Sequence, residues 1–193
     1  MIKDREKHTV GLVAIGRIPE MVLKVISGHI LGYLNLPTCC LPAQGLPQAC
    51  LDEKRLQYDA GKIIQHLESC AFADCTKILG LVEADLFVPI FTHVLGEAQQ
   101  GGDHAVISLS RLQYRNNGTR SSEAEFYERS AKVALHELGH LFNLFHCRDS
   151  HCLMHFSGTI ETLDAIELNY CPACRNFLDG PRRPALASIG PDG

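Results

Sequence analysis

The sequence predicts an α+β fold: a mixed, twisted sheet of about five strands with flanking helices and a small cysteine-rich subdomain at its C-terminal end. Three observations carry this. Apolar runs alternate with amphipathic stretches through Glu83, in the order strand, helix, strand, helix, strand. That order predicts parallel pairing through right-handed crossovers. Two further strand candidates are separated by the short link Gln99-Gln100-Gly101-Gly102-Asp103, which favours antiparallel pairing. Residues 147–178 are rich in cysteine and short of long apolar runs, so they need a staple.

Taken in order, Thr9 to Gly16 is a continuous apolar run closed by glycine, as suits a strand buried on both faces. Pro19-Glu20 opens a helix, with proline in its first turn. Its apolar positions are Val22, Leu23, Ile26, Ile30 and Leu34. Pro37 ends it. Residues 36–43 are expected as a second strand, short or irregular because of Pro37 and Pro42, and Gly45 to Gln48 as a loop. Asp52-Glu53 opens a second helix through about Cys70, with Leu56, Ala60, Ile63, Ile64 and Leu67 on its apolar face. Lys77–Glu83, Phe91–Gly96 and His104–Leu109 complete the strands. A long helix starts near Ser122, which forms a capping box with Glu125. Tyr127, Ala131, Ala134, Leu138 and Leu141 are its core stripe.

Composition bounds the function. The chain has 193 residues, 46% hydrophobic and 21% charged, which is enough for one soluble domain with a sizeable core. A formal net charge of −4 gives no reason to expect nucleic-acid binding. No apolar run reaches the length of a membrane span. The N-terminus is charged, and the short β-branched run after it reads as a strand, not as a secretion signal. A cytoplasmic location is the default. The nine cysteines are then read as metal ligands or as reduced thiols packed as small hydrophobes. A disulfide, or a half-site from Cys70 and Cys75, is the alternative for the five outside the C-terminal region.

The chemistry is concentrated in His136-Glu137-Leu138-Gly139-His140-Leu141-Phe142-Asn143-Leu144-Phe145-His146. Histidines four apart on a helix share a face, so both imidazoles reach one metal ion. Glu137 sits where it can hold the metal's water and take its proton. His146 follows His140 by six residues. On a continuing helix it would point roughly 120° away and about 9 Å further along the axis, out of reach. The helix must end and the chain turn back between them. Asn143 sits where that turn is needed, and Asn adopts the left-handed conformation more readily than other non-glycine residues. Cys147 and Cys152, Met154, and Cys171-Pro172-Ala173-Cys174 follow. A zinc held by the four thiolates provides the staple and contributes folding energy; two disulfides or free thiols are the alternatives.

At these residues the chain resembles the metzincin zinc peptidases, whose mark is H-E-x-x-H-x-x-(G/N)-x-x-H followed by a methionine turn. The Cys147-x4-Cys152-x-Met154 segment with a later C-x-x-C narrows the resemblance to the archaemetzincins. It implies the zincin-like fold, a catalytic zinc on His136, His140 and His146, and Glu137 as general base. It also implies Met154 as the hydrophobic floor beneath that zinc, and a second, structural zinc on Cys147, Cys152, Cys171 and Cys174. The domain expected is a catalytic one over residues 1–178, its subdomains 1–143 and 144–178 meeting at the chain reversal, with 179–193 a flexible tail. Asn143 stands where the family usually has glycine. Two residues after the methionine, where astacin-like and serralysin-like relatives carry tyrosine, stands Phe156, which has no hydroxyl.

Two functions follow. One is a metallopeptidase in which zinc polarises the peptide carbonyl while Glu137 activates the water and then protonates the leaving amine. The other is a zinc-binding scaffold or peptide-binding protein of low activity, which Phe156 favours and Glu137 opposes. A nucleic-acid-binding role for the cysteine cluster has only Arg148, Arg175, Arg182 and Arg183 to support it. The expected partner is a peptide or protein substrate, with no nucleic acid and no membrane, acting on a monomer. An extended peptide would pair antiparallel with an edge formed by Leu95, Gly96, Glu97 and Ala98, where Gly96 permits close approach of a backbone.

Overall fold

A computed structural model describes residues 8–70, 72 and 75–180. The elements are β1 Val10–Ile15, α1 Glu20–Leu34, β2 Thr38–Cys40, β3 Leu51–Asp52, β4 Gln57–Asp59, α2 Ala60–Glu68, β5 Lys77–Val82, β6 Leu86–Phe87, β7 Gly96–Ala98, β8 His104–Ser108, α3 Glu123–Leu141, α4 Ile160–Ala165 and α5 Pro172–Asp179.

The main sheet has five strands in the order β2-β1-β5-β8-β7. The first four are mutually parallel and β7 runs antiparallel to β8, so the mixed sheet expected from the two link types is present. Its central strands are apolar through their middles because both faces are covered. Val10, Leu12, Leu79, Leu81, Ala105 and Ile107 face a core shared with α1 and α3. Val13, Ile15, Ile78, Val82 and Val106 face the one shared with α2. A Cβ on Gly80 would sit 2.9 Å from the Leu67 side chain, so glycine here lets α2 press onto the sheet.

Several expected boundaries move, each for a local reason. Residues 36–43 reduce to the three-residue β2, bounded by Pro37 and Pro42. Pro19 is the N-cap of α1, one position before the first helical residue. The second helix begins at Ala60, not at Asp52. The Asp52 carboxylate accepts the N–H groups of Lys54 and Arg55, a turn that competes with helix. Leu56, with φ of 55° and 79% exposed, lies in that turn and not on an apolar helix face. The true cap is Asp59, which accepts from Lys62 N–H. The segment so released forms a small second sheet, β3-β4-β6, which had no period-2 signal long enough to read. The strand expected over Phe91–Gly96 is displaced. Residues 90–93 turn, and the paired strand is Gly96–Ala98. Asp179 ends α5; the rest of the expected tail, apart from Gly180, lies outside the described residues, as does the N-terminus before His8.

Two buried cations on α3 had no sequence signal. Arg129, 2% exposed, grips Asp164 of α4 through Nε and Nη2, both at 2.7 Å. Its Nη1 donates to the carbonyls of Leu112 and Tyr114. The guanidinium thus ties α4 and the loop before α3 to one point on the helix. Removing one partner of a buried pair strands the other charge. Asp164→Ala is therefore expected to cost about 2–4 kcal/mol, read as a lower urea midpoint with an unchanged m-value; a loss below about 0.5 kcal/mol would show the pair to be solvent-screened.

Candidate metal centres and cleft

The three histidines converge. Ser122 and Glu125 form a reciprocal capping box that starts α3, and the helix carries His136 and His140 on one face. It ends in the chain reversal that the His146 spacing demands. Asn143 has φ of 68°. Asn143 N–H donates to His140 O at 2.9 Å and Leu144 N–H to Gly139 O at 3.0 Å, a Schellman motif with Asn in the left-handed position. The reversal also aims a ring, because Leu144 O accepts from His140 Nδ1 at 2.8 Å. Leu153 O does the same for His136 Nδ1 at 2.8 Å. A carbonyl can only accept, so both Nδ1 atoms carry the proton and both Nε2 lone pairs point into the cluster.

That arrangement suits a cation. The two Nε2 atoms lie 3.1 Å apart, and two nitrogens bound ~2.0–2.1 Å from one tetrahedral zinc would sit ~3.3–3.4 Å apart. One ring nitrogen from each of His136, His140 and His146 falls within 4.8 Å of the others. Burial pushes the His136 imidazole down to about 3. Burial also lowers His140 and His146. All three are thus held neutral, as ligands must be.

Glu137 is buried and lines the same cleft as the histidines, its carboxylate lying against Gly96 at the sheet edge. A Cβ on Gly96 would lie 2.5 Å from its Oε1. A side chain at 96 would displace the Glu137 carboxylate from this position. Close approach of a peptide backbone is not needed to explain the glycine. Among the described residues no side-chain or main-chain donor bonds that carboxylate. Burial pushes it well above the usual carboxylate range, and the negative charge of Glu97 adds to this. Met154 is fully buried, its thioether packed against Gly139, the residue before His140. Gly139 is thus a second residue whose role the sequence did not disclose: any side chain there would collide with the methionine.

The four C-terminal cysteines also meet. Their Sγ atoms all lie within 4.8 Å of one another, with Cys147 Sγ 3.8 Å from Cys171 Sγ. Two sulfurs ~2.3 Å from one tetrahedral zinc sit ~3.8 Å apart, whereas a disulfide requires ~2.05 Å. No disulfide joins any of the nine cysteines, and the C-terminal set fits a closed four-thiolate site. Met154 and Cys171 donate their N–H groups to Cys152 Sγ at 3.4 and 3.3 Å. Cys70 and Cys75 join no such cluster among the described residues. Of the five other cysteines Cys50 is buried, Cys75 is partly buried and packs against the same core, and Cys40 is exposed, so the expectation of five packed thiols holds for Cys50 and in part for Cys75.

A cleft of about 420 Å³ runs over the histidines. Its rim includes Leu95, Gly96, Glu97 and Ala98 on one side and Phe156 on the other. Phe156 stands edge-on to His146, ring centroids 5.2 Å apart. β7 is the outer strand of the sheet. Ser108 N–H donates to Leu95 O and Gln99 N–H to His104 O, so by antiparallel alternation the main-chain groups of Gly96 and Ala98 face away from β8. No helix among the described residues is long and apolar enough to cross a membrane.

Comparison with known proteins gives one answer. The family model described as Peptidase family M54 matches residues 20–179. The archaemetzincin of Haloquadratum walsbyi is 33% identical over 172 residues, covering 88% of this chain and 98% of the relative. The crystal structure of archaemetzincin from Methanopyrus kandleri superposes with a TM-score of 0.81 at 31% identity, over 92% of this chain and 97% of the other. A zinc-dependent peptidase from Methanocorpusculum labreanum gives 0.78 at 27% identity, over 88% and 99%. The chain therefore belongs to peptidase family M54, the archaemetzincin zinc metallopeptidases.

Proposed function

We propose that the three-histidine cluster is the catalytic zinc site and that Glu137 is the base that activates water against a peptide bond. The single observation that carries this is the pair of Nε2 lone pairs held face to face by main-chain acceptors, with an unbonded carboxylate on the next residue. A bound zinc supplies Lewis acidity, bringing water toward a pKa of ~7 and polarising a carbonyl oxygen. Glu137 accepts the proton of the attacking water and delivers it to the leaving amine. Its environment suits both steps: burial disfavours the lone anion, and a neighbouring dication would restore it, so the proton is held loosely in either direction. Met154 closes the floor behind the ligands, and Phe156 walls one side of the cleft without offering an oxyanion donor.

The four cysteines are proposed to hold a second, structural zinc that staples residues 144–178 to the domain. Nine cysteines without a disulfide among them support a reducing compartment, hence the cytoplasm, as the site of action. A substrate strand is proposed to pair antiparallel with β7 through Gly96 and Ala98, the edge positions with main-chain groups turned outward.

Three outcomes are expected. Elemental analysis should find two zincs per chain, falling to one in Cys171→Ser; one zinc with nine titratable thiols in the wild type would refute the pair. Glu137→Ala should retain both metals and lose at least about 10³-fold in kcat. Loss of the histidine-site zinc would instead make Glu137 a ligand, and hydrolysis at the wild-type rate would leave the scaffold reading. Ala98→Pro removes an outward N–H at a position that does not bond β8. It should weaken binding of an extended peptide about 5- to 10-fold with metal content unchanged, and unaltered affinity would remove the edge from substrate recognition.

A further inference from the structure

Residues 128, 132, 136 and 140 of α3 recur at the four-residue step that keeps them on one face. Lys132 therefore lies one turn, ~6 Å, before His136. Its side chain is 3% exposed, yet it lines the same cleft as His136 and Glu137, beside Val133, Leu163 and Ile166. It is the one lysine or arginine among the described residues lining that cleft. Nζ donates to Glu128 Oε1 at 2.8 Å and to Leu163 O at 3.3 Å. An ammonium group has three donors, and no described protein acceptor takes the third.

Stability does not explain this lysine. Burying an ammonium group costs more than a pair with a half-exposed partner returns, and the side chain of Glu128 is 55% exposed. An aliphatic residue would fill the space among the apolar lining at lower cost. From these contacts we propose that Lys132 sets substrate preference by binding a carboxylate of the peptide on the C-terminal side of the scissile bond. The proposal rests on the peptidase reading above and names its substrate class.

Chain direction supports the side assigned. Gly96 lies against Glu137, and Gly101 N–H donates to His140 O at 2.8 Å. The segment from 96 to 101 thus runs the same way as α3. A peptide antiparallel to β7 runs opposite to α3, so residues beyond the scissile bond extend from the histidines toward Lys132. The carboxylate has two possible sources: an Asp or Glu side chain directly after the scissile bond, or the substrate's own C-terminus placed there.

Uncleavable phosphinic peptides separate these. Two C-terminally amidated peptides differ only in Glu or Gln after the scissile position; a second pair carries Ala there and ends in a free acid or an amide. Each is titrated calorimetrically into zinc-loaded wild type, Lys132→Met and Lys132→Arg. Wild type is expected to bind the carboxylate member of one pair roughly 10- to 100-fold more tightly than its neutral partner. The ratio should fall to within about threefold in Lys132→Met and persist in part in Lys132→Arg. The pair that discriminates identifies the source. Equal affinities within both pairs in wild type, a comparison that needs no variant to fold, would overturn the proposal, and so would a preference surviving in Lys132→Met. Selective binding without turnover of the matching amide substrates would sink the peptidase reading and leave Lys132 assigned. Turnover indifferent to charge would do the reverse.

Discussion

The cleft depends on one short piece of backbone, residues 152–155, that serves both metal-type clusters at once. Cys152 contributes a sulfur to one cluster, while the next residue, Leu153, fixes the tautomer of His136 in the other. Met154 then packs behind Gly139 and accepts Cys147 N–H at 2.8 Å. His155 Nδ1 donates to Cys147 O at 3.1 Å. His146 is the residue before Cys147, so whatever holds the four sulfurs together also holds the third imidazole. Apolar packing in the C-terminal region comes from few residues, chiefly Leu153, Leu163, Ile166 and Tyr170 against α3. Without the sulfur cluster that contact would have to set imidazole positions to fractions of an ångström, which non-directional burial does poorly.

The parts legible in the sequence were those governed by spacing. The i,i+4 histidines, the reversal forced by six residues between His140 and His146, and the capping box at Ser122 each follow from helix geometry and stand in the structure. So do the double burial of β1 and β5 and the antiparallel return into β8. What was not legible was governed by contacts between segments distant in sequence. Gly96 was read for its openness to substrate; its contact with the Glu137 carboxylate was not foreseen. Gly139 read as an unremarked helix position; it is where Met154 enters. The small second sheet was hidden because Asp52 offers the backbone a turn at the point where the apolar spacing suggested a helix. In each case a local pattern was overridden by a partner more than ten residues away or by a side chain competing for main-chain N–H groups.

The two buried cations of α3 differ in how their donors are used. Arg129 spends four of its five N–H donors on the Asp164 carboxylate and on Leu112 and Tyr114, and so is a nearly closed tie. Lys132, less than one turn further on, has an acceptor in Glu128 one turn back on α3, another in α4, and a donor left over. Both burials cost solvation. In the first the cost is offset within the protein; in the second it is offset only in part. A buried ammonium group with a donor left over beside the histidine cluster is therefore placed to meet an acceptor from outside the protein.

The same α4 carbonyl region that meets Lys132 is anchored through Asp164 to Arg129. The floor of the cleft on that side is thus set by the tie, and its polarity by the neighbouring lysine. This links stability to recognition without any moving part. Loosening Arg129–Asp164 would let Leu163 O drift from Nζ, which would change how tightly the ammonium group is held before it reaches the histidines at all. Selectivity in this cleft is therefore expected to be more sensitive to the packing of α4 than the metal cluster is, because the imidazoles take their orientation from Leu144 and Leu153 and not from α4.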